Sequence, residues 1–401
     1  MRFHLGSVSP GALPAAGERG NMMAWRVCRV RAWWRGGLRI AIVLPALLWG
    51  CGGDSGGGGA SGMAVHQTNL VADVQAAATT PDGHLVNAWG IVHGPATPFW
   101  ISDNGTGVST LYDGSGQLFP TADPLVVTIP PPTGSAPGTV AKPTGIVFNG
   151  STTDFVINEG ANAAASLFIF ATEDGTISGW SNKVDPGTAI LKVDNSASGA
   201  IYKGLALASN GTANFLYATN FNAGRVEVFN NEFGPATPSG SFVDPNLPTG
   251  FAPFGIAAIG GNLYVTYAEQ DDNKEDDVKG AGNGFVDVFS ATGTLMSRFA
   301  TRGTLNSPWG VVQAPAGFGS LGNAILVGNF GDGRINAFDS KGTFLGQLTD
   351  GQKTLAIDGL WGLEFGNGGN GGAVNTLYFT AGPDDEMHGL FGMLEPLASG
   401  M

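Results

Sequence analysis

One short pattern recurs six times and constrains the fold more than any other feature of the chain. Each copy has a bulky or polar residue, then glycine, then apolar residues, and successive glycines are 51 to 59 residues apart. The six copies are Trp89-Gly90-Ile91, Thr144-Gly145-Ile146, Lys203-Gly204-Leu205, Phe254-Gly255-Ile256, Trp309-Gly310-Val311 and Trp361-Gly362-Leu363. A period of this length is typical of arrays in which each repeat is one small β-sheet.

The segments between the motifs are short apolar runs that end at Gly, Asn, Asp or Pro, a pattern that indicates strands joined by turns. Glycine supplies 65 of the 401 residues. In the second repeat, for example, we expect the second strand at Asp154–Ile157 and the third at Ser166–Phe170. The sequence therefore predicts an all-β fold, a six-bladed β-propeller with four-stranded blades whose repeats begin near residues 89, 144, 203, 254, 309 and 361.

The two ends of the array complement each other. The sixth repeat stops near Pro396, before any fourth strand, and the segment Asn69–Val74 precedes the first motif as fourth strands precede the others. We therefore expect the N-terminal strand to complete the last blade. This pairing would close the ring and remove open sheet edges, which promote aggregation. The predicted propeller spans residues 69–397.

The N-terminal segment 1–51 differs in composition from the rest of the chain. It holds seven of the 19 basic residues, and arginines precede an apolar stretch, Ile40–Trp49. This stretch is shorter than the roughly 20 residues that span a bilayer, and the arrangement is typical of an export signal. Met1, Met22 and Met23 are alternative starts.

The sequence Leu48-Trp49-Gly50-Cys51 resembles a bacterial lipobox, and the resemblance implies lipidation at Cys51. The alternative is an ordinary signal that is cut further on, near Ala60 to Ala64. Residues 52–68 begin as a Gly/Ser-rich stretch, which is typical of a flexible tether. We therefore expect an exported protein of the periplasm or cell surface, attached to a membrane through its lipid alone.

The remaining chain is strongly acidic, with 12 basic against 31 acidic residues, a formal net charge of −19. Such a surface repels phosphate backbones, so nucleic acid is excluded as a partner. Calcium is the cofactor that this charge favours. Cys28 and Cys51 are the two cysteines of the sequence, so the predicted propeller contains no thiol nucleophile.

The segment Gly328–Asp339 resembles the repeats of NHL propellers. Together with Tyr267–Phe289 and Gly359–Gly392, it makes residues 69–396 similar to an uncharacterised family of exported bacterial propellers, conserved hypothetical proteins that often carry PEP-CTERM tails. This resemblance implies a propeller fold and a location outside the cytoplasm. It implies no particular activity.

The residues before the repeated glycines are candidates for a ligand site, because the inner strands of a propeller begin at one mouth of its central channel. The predicted ligand-mouth residues are Trp89, Lys203, Phe254, Trp309 and Trp361. Aromatic rings at a mouth stack on sugar rings and other flat apolar faces. The alternative is that these rings pack between neighbouring blades.

Three sets of oxygen-bearing or imidazole side chains are candidate metal ligands. They are the acidic-loop residues Asp271, Asn273 and Glu275, the turn residues Asp384, Asp385, Glu386 and His388, and the strand-end residues Glu159, Asn220 and Glu269. The last set is implied by a similarity to propeller lactonases and lyases. The alternatives are a solvated acidic loop, a polar hairpin turn and residues that cap turns.

Two classes of function follow from these features. In the first, the chain is a binding or scaffold module that holds a glycan, a small molecule or a protein at the cell envelope. In the second, it is a calcium-dependent hydrolase or lyase of the lactonase or streptogramin-lyase type. The aromatic residues before the glycines and the lack of a nucleophile motif favour the binding module over the enzyme.

Overall fold

Short apolar runs bounded by turn residues form the strands of this protein. The computed structural model describes residues 62–397, which contain 26 β-strands and two short 3-10 helices, Ser196–Ser198 and Gly319–Leu321. The predicted signal segment 1–51, with Cys51, lies outside the described residues, as does the first part of the tether. Among the described residues, no helix is long and apolar enough to cross a membrane.

Most strands pair with their neighbours in the chain in an antiparallel manner. The first repeat forms β3 (Ala88–Val92), β4 (Phe99–Asp103), β5 (Val108–Tyr112) and β6 (Val126–Thr128). The second forms β7 (Pro143–Phe148), β8 (Val156–Glu159), β9 (Asn162–Ala165), β10 (Phe168–Thr172), β11 (Thr176–Ser181) and β12 (Asp185–Asp194). A parallel contact between Thr188 of β12 and Thr128 of β6 joins these two repeats into one eight-stranded sheet.

The later repeats form separate sheets. The third has β13 (Tyr202–Ser209), β14 (Asn214–Asn220) and β15 (Arg225–Phe229). The fourth has β16 (Phe251–Ile259), β17 (Asn262–Glu269), β18 (Phe285–Ser290) and β19 (Leu295–Thr301). The fifth has β20 (Pro308–Gln313), β21 (Ile325–Asn329), β22 (Ile335–Phe338) and β23 (Phe344–Gln347). The sixth has β24 (Leu360–Phe365), β25 (Leu377–Ala381) and β26 (Leu390–Pro396).

The N-terminal strand joins the sheet of the sixth repeat. Strand β1 (Val65–Ala72) is antiparallel to β26, from the pair Val65–Pro396 to the pair Ala72–Leu390, and β2 (Thr80–Pro81) lies beside β1. The pairing itself agrees with the sequence analysis. The strand begins and ends earlier than the predicted Asn69–Val74, because residues 65–68 also form ladder pairs with β26.

The predicted strand order of the second repeat is wrong. Asp154–Ile157 contributes to β8, which pairs with β9 in a separate hairpin, and β10 is the strand that lies beside β7. Phe155 has a φ of 56°, a left-handed conformation that interrupts a regular strand. Its amide donates instead to the carbonyl oxygen of Asn231 in the third repeat.

The third repeat has three strands where four were predicted. The segment after β15 makes a single bridge to it, between Phe229 and Pro235. Pro235 and Pro238 lack the N–H groups that a further ladder would need. These two prolines explain why this segment does not continue as a fourth strand.

The repeated glycines allow neighbouring repeats to approach closely. A Cβ atom added at Gly90 would lie 2.4 Å from the carbonyl oxygen of Thr144, and one at Gly255 would lie 2.1 Å from that of Trp309. The same relation holds from Gly145 to Leu205, from Gly204 to Phe254, from Gly310 to Trp361 and from Gly362 back to Trp89. Glycine is needed because each motif packs against the backbone of the next.

The first strands of the six repeats surround a central cavity of about 540 Å³. One aliphatic residue after each glycine contributes to its lining: Ile91, Ile146, Leu205, Ile256, Val311 and Leu363. Buried apolar side chains fill the spaces between neighbouring sheets. The protein is therefore all-β, with the sheets in a propeller-like arrangement around this cavity.

Candidate functional site

An aromatic cluster packs at the end of the cavity where the inner strands begin. Trp361 is stacked between Trp89 and Phe330, with ring centroids 3.7 Å away on both sides. Phe254 and Trp309 complete this group, which we call the aromatic plug. Trp89, Phe254 and Trp361 are at most 2% exposed. These predicted ligand-mouth rings therefore pack against one another, which agrees with the alternative of ring packing between repeats.

Lys203, the remaining predicted ligand-mouth residue, is a buried ion-pair partner. Its side chain is 2% exposed, and its Nζ lies 2.5 Å from Oε1 of Glu173 and 3.1 Å from Oδ1 of Asp276. The same ammonium lies 5.3 Å from the ring centroid of Trp89, close enough for a cation–π interaction. Lys203 therefore connects the aromatic plug to two carboxylates contributed by the second and fourth repeats.

Two asparagines extend this network across the mouth. Asn104 Nδ2 donates to Oε2 of Glu173 over 2.9 Å, and Asn87 Nδ2 donates to Oδ1 of Asn104 over 3.2 Å. Asn87 Nδ2 also donates to Oε2 of Glu386 over 2.7 Å. Asn87 Oδ1 accepts from the indole nitrogen of Trp361 over 3.1 Å. We call this set the mouth cluster: Asn87, Asn104, Glu173, Lys203, Asp276 and Glu386.

Two members of the mouth cluster, Asn87 and Glu386, are held in position by unfavourable backbone conformations. Asn87 has a φ of 49°, and Asp384, Asp385 and Glu386 have φ values of 57°, 51° and 66°. A single left-handed residue other than glycine costs on the order of 1 kcal/mol or more. Strain of this kind is common at binding and catalytic sites, where the surrounding structure holds a side chain in position.

The charges of the mouth cluster are fixed by its geometry. Burial alone would lower the pKa of Lys203, but the carboxylates of Glu173 and Asp276 outweigh it and raise the pKa. Burial alone would raise the pKa of Glu173, but the Lys203 ammonium outweighs it and lowers the pKa. The ion pair with Glu173 therefore favours the charged form of Lys203.

Glu386 is the member of the cluster whose ionised form is disfavoured by its surroundings. Burial raises its pKa, the hydrogen bond from Asn87 lowers it, and the charge of Glu173 raises it further. A half-buried carboxyl group with a raised pKa is a candidate for exchanging a proton with a bound ligand. Chemically, the cluster thus offers amide donors and acceptors, a fixed ammonium and one group that can transfer a proton.

The acidic-loop residues are not gathered around a common point. Oδ1 of Asp271 accepts from the backbone N–H of Glu275 over 2.9 Å, so this carboxylate caps its own turn. Asn273 and Glu275 are exposed. The loop contributes to the site through Asp276, a residue the sequence analysis did not single out.

The four residues of the last turn are brought together only in part, because His388 Nε2 lies 3.9 Å from Oδ2 of Asp384. His388 Nδ1 lies 2.9 Å from Oδ2 of Asp73, Glu386 turns to Asn87, and Asp384 and Asp385 are exposed. Within residues 62–397, no three His, Cys, Asp or Glu side chains are grouped as metal ligands.

The third predicted set is also dispersed. Glu159 is exposed at the tip of the β8–β9 hairpin. Asn220 is buried and caps a turn, since its Oδ1 accepts from Ala223 N over 3.1 Å and its Nδ2 donates to Glu227 over 3.0 Å. Glu269 is half-buried at the end of β17. The three residues lie on strands of three different repeats, and in the described part of the chain no hydrogen bond or ion pair joins them, so they do not form one site.

Several structures of propeller proteins are similar to this chain at low identity. Virginiamycin B lyase from Staphylococcus aureus has a TM-score of 0.46 at 14% identity over 83% of this chain and 99% of the lyase. The calcium-binding protein regucalcin from Agrobacterium tumefaciens has a TM-score of 0.45 at 13% identity over 79% of this chain and 95% of regucalcin. At these scores the similarities carry no inference about activity.

Sequence relatives define the family. No family model matches the chain. Uncharacterized protein R648 of Acanthamoeba polyphaga mimivirus is 34% identical over 80% of this chain and 77% of that protein, and uncharacterized protein L690 of the same virus is 33% identical over 80% and 83%. The expected membership of an exported bacterial family with PEP-CTERM tails is therefore wrong, because these relatives are viral. The chain belongs to the protein family that includes R648 and L690 of the mimivirus.

Proposed function

We propose that the chain is a six-bladed β-propeller that binds a small polar ligand, such as a glycan unit, at the mouth cluster. The observation that carries this proposal is the convergence of six polar side chains from five repeats around the buried Lys203. Side chains from separate repeats meet at one place because the inner strands share one mouth. Binding sites of propellers are built in this way from the loops of several blades.

The proposed blade number rests on the glycine contacts. Each of the six glycine motifs touches the next, and the sixth touches the first. Strand β1 supplies the fourth main strand of the last sheet. A ring of six repeats accounts for both relations.

The ligand class follows from the groups at the mouth. Amides both donate to and accept from hydroxyl groups, and ionised carboxylates accept from them. The rings of Trp89, Phe254 and Trp361 in the aromatic plug are buried, so a ligand would contact polar groups rather than ring faces. A hydroxyl-rich ligand therefore fits better than a flat apolar one. A peptide segment of a protein partner that presents similar groups is the alternative ligand.

Binding to a panel of sugars and sugar acids, measured by titration calorimetry, tests this proposal. We expect Asn104→Ala to weaken binding by at least about tenfold, because it removes one hydrogen bond and frees Glu173 from its amide partner. Glu159→Gln, on an exposed hairpin outside the mouth cluster, is the matched control and should bind as the wild type does. Equal losses in both variants, or binding unaffected by Asn104→Ala, would contradict this site.

A second candidate is an acid–base enzyme at the same mouth, and the position of Glu386 favours it, because this half-buried carboxyl group accepts from Asn87 over 2.7 Å and its burial raises its pKa. In this function water would attack a bound lactone or glycosidic bond, and Glu386 would either take the proton of that water as a base or protonate the leaving oxygen as an acid. Turnover of a lactone panel by the wild type and its loss in Glu386→Gln would support an enzyme. If the wild type and Glu386→Gln both bind the ligand without turnover, the protein is a binding module and this enzyme function is wrong.

We also propose that residues 1–51 direct export and that Cys51 is lipidated. Support comes from the arginines before Ile40–Trp49 and from the lipobox-like sequence that ends at Cys51. In a bacterial host, labelled palmitate should enter the full chain but not Cys51→Ser. Label that persists in Cys51→Ser, or a wild type without label, would contradict lipidation at this residue.

A further inference from the structure

The mouth cluster carries oxygen atoms of the kind that bind cations, but they surround an ammonium, and within residues 62–397 no three acidic side chains are grouped as metal ligands. Carboxylates of Glu173, Asp276 and Glu386 and the amides of Asn87 and Asn104 are the oxygen ligands that calcium prefers. Lys203 Nζ lies among them, in direct contact with two of the carboxylates. The residues therefore fit a lysine-centred site and do not fit an additional divalent ion.

We infer that the Lys203 ammonium takes the place of a divalent cation at this mouth, so that the site is complete without metal. The lysine supplies the positive charge that the largely buried Glu173 carboxylate requires, since a buried carboxylate without a counter-charge is strongly unfavourable, and it also pairs with the exposed Asp276. A calcium ion bound between the same carboxylates would lie within a few ångströms of the ammonium and be repelled by it. This inference holds whichever ligand the mouth binds.

The position of Lys203 in the chain explains why the ammonium is held there. Lys203 occupies, in the third repeat, the position that Trp89, Phe254, Trp309 and Trp361 occupy in their repeats. Its neighbour Gly204 packs against the backbone of Phe254. The carbonyl oxygen of Lys203 accepts from the indole nitrogen of Trp309 over 3.0 Å. The backbone of Lys203 is thus fixed by the ring of repeats, and its side chain rises from the plug to the carboxylates.

A pair of variants tests whether the ammonium replaces a metal. Lys203→Ala removes the charge and leaves space among the carboxylates, whereas Lys203→Met removes the charge but fills most of the space. We expect calcium at 10 mM to raise the melting temperature of Lys203→Ala by about 3 °C or more. Wild type and Lys203→Met should each shift by less than about 1 °C. Adding Glu173→Gln to Lys203→Ala should abolish its calcium response.

Each other outcome overturns the inference. A calcium-dependent rise of the wild type that Glu173→Gln or Asp276→Asn removes would show that metal binds beside the lysine. If Lys203→Ala is folded and its melting temperature does not change with calcium, the lysine does not occupy a cation position. If Lys203→Ala is unfolded without calcium, its near-ultraviolet circular dichroism should recover when calcium is added, and failure to recover counts against the inference. Ligand binding is measured in a separate calorimetric experiment, so a failure of the proposed function can be told apart from a failure of this inference.

Discussion

The carbonyl oxygen of Trp89 lies against Gly362, at a distance of 2.7 Å from the place where a Cβ atom of residue 362 would be. This contact joins the last repeat to the first. Thr380 reinforces it, because its hydroxyl donates to the Trp89 carbonyl over 2.5 Å and accepts from the Gly362 amide over 2.9 Å. The ring of repeats thus depends on a glycine at its junction as well as on the pairing of β1 with β26.

Replacing that glycine should destabilise the protein. Gly362→Ala places a methyl group against Trp89, Ile91 and Thr380, and overpacking of this kind costs about 1–3 kcal/mol. Gly150→Ala is the control, since the nearest atom to its added Cβ is 3.7 Å away. Urea denaturation should show a lower midpoint for Gly362→Ala alone. Equal midpoints for the two variants would show that the junction accommodates a side chain.

Removing the buried ammonium should have a larger effect. Lys203→Met leaves the largely buried Glu173 carboxylate without its counter-charge, and breaking a buried pair in this way costs about 3 kcal/mol or more, whereas the exposed Asp276 contributes little. Glu173→Gln added to Lys203→Met should recover part of the loss, because one uncompensated carboxylate is then gone. Exposed Lys183→Met should change the free energy of unfolding by less than about 0.5 kcal/mol. Additive losses in the double variant would argue against a direct pair.

The fold could be predicted from sequence where a single residue type reports a long-range contact. A glycine at each motif is demanded by the close approach of the next repeat, so its spacing is visible in the sequence. The order of the strands in the second repeat could not be predicted in this way. Asp154–Ile157 and Phe168–Thr172 are both short apolar runs, and the left-handed Phe155 is fixed by a bond to Asn231 in another repeat.

The site was only partly predictable for a related reason. Lys203 stood out because it precedes a repeated glycine, and Glu386 because it lies in an acidic turn. Glu173 and Asp276 lie 30 and 73 residues from Lys203 in the chain. Their carboxylates meet one ammonium only because the repeats share a mouth. The sequence therefore predicts one metal site at Asp271, Asn273 and Glu275 and another that includes Glu386, and it does not single out Asp276, which shares the mouth cluster with Glu386.

The link between His388 and Asp73 should make stability depend on pH. The hydrogen bond to Asp73, which follows β1, raises the pKa of His388 in the folded protein. The stabilisation is then fully present below the unfolded value of about 6.5 and is lost as pH rises through the higher folded value. The melting temperature should fall over this range.

His388→Gln should flatten that part of the pH profile, and His66→Gln, on exposed β1 sequence, is the control that should leave it unchanged. A profile that is the same for wild type and His388→Gln would mean that another group governs the change.

Glu386 provides a test of whether the mouth is maintained for function rather than stability. Because burial raises its pKa above the ordinary value of 4.5, the folded state disfavours its ionised form, and stability falls as pH rises through the folded pKa. Glu386→Gln keeps an oxygen that accepts from Asn87 but cannot ionise. This variant should therefore be more stable than the wild type at pH 7.5 and equally stable at pH 4, as measured by urea denaturation.

Glu232→Gln, at an exposed turn, should show no difference at either pH. A carboxyl group with this predicted effect that is held by the left-handed residues Asp384, Asp385 and Glu386 would be typical of a binding or catalytic site. If Glu386→Gln is instead less stable at pH 7.5, the carboxylate stabilises the mouth cluster, and its presence requires no functional explanation.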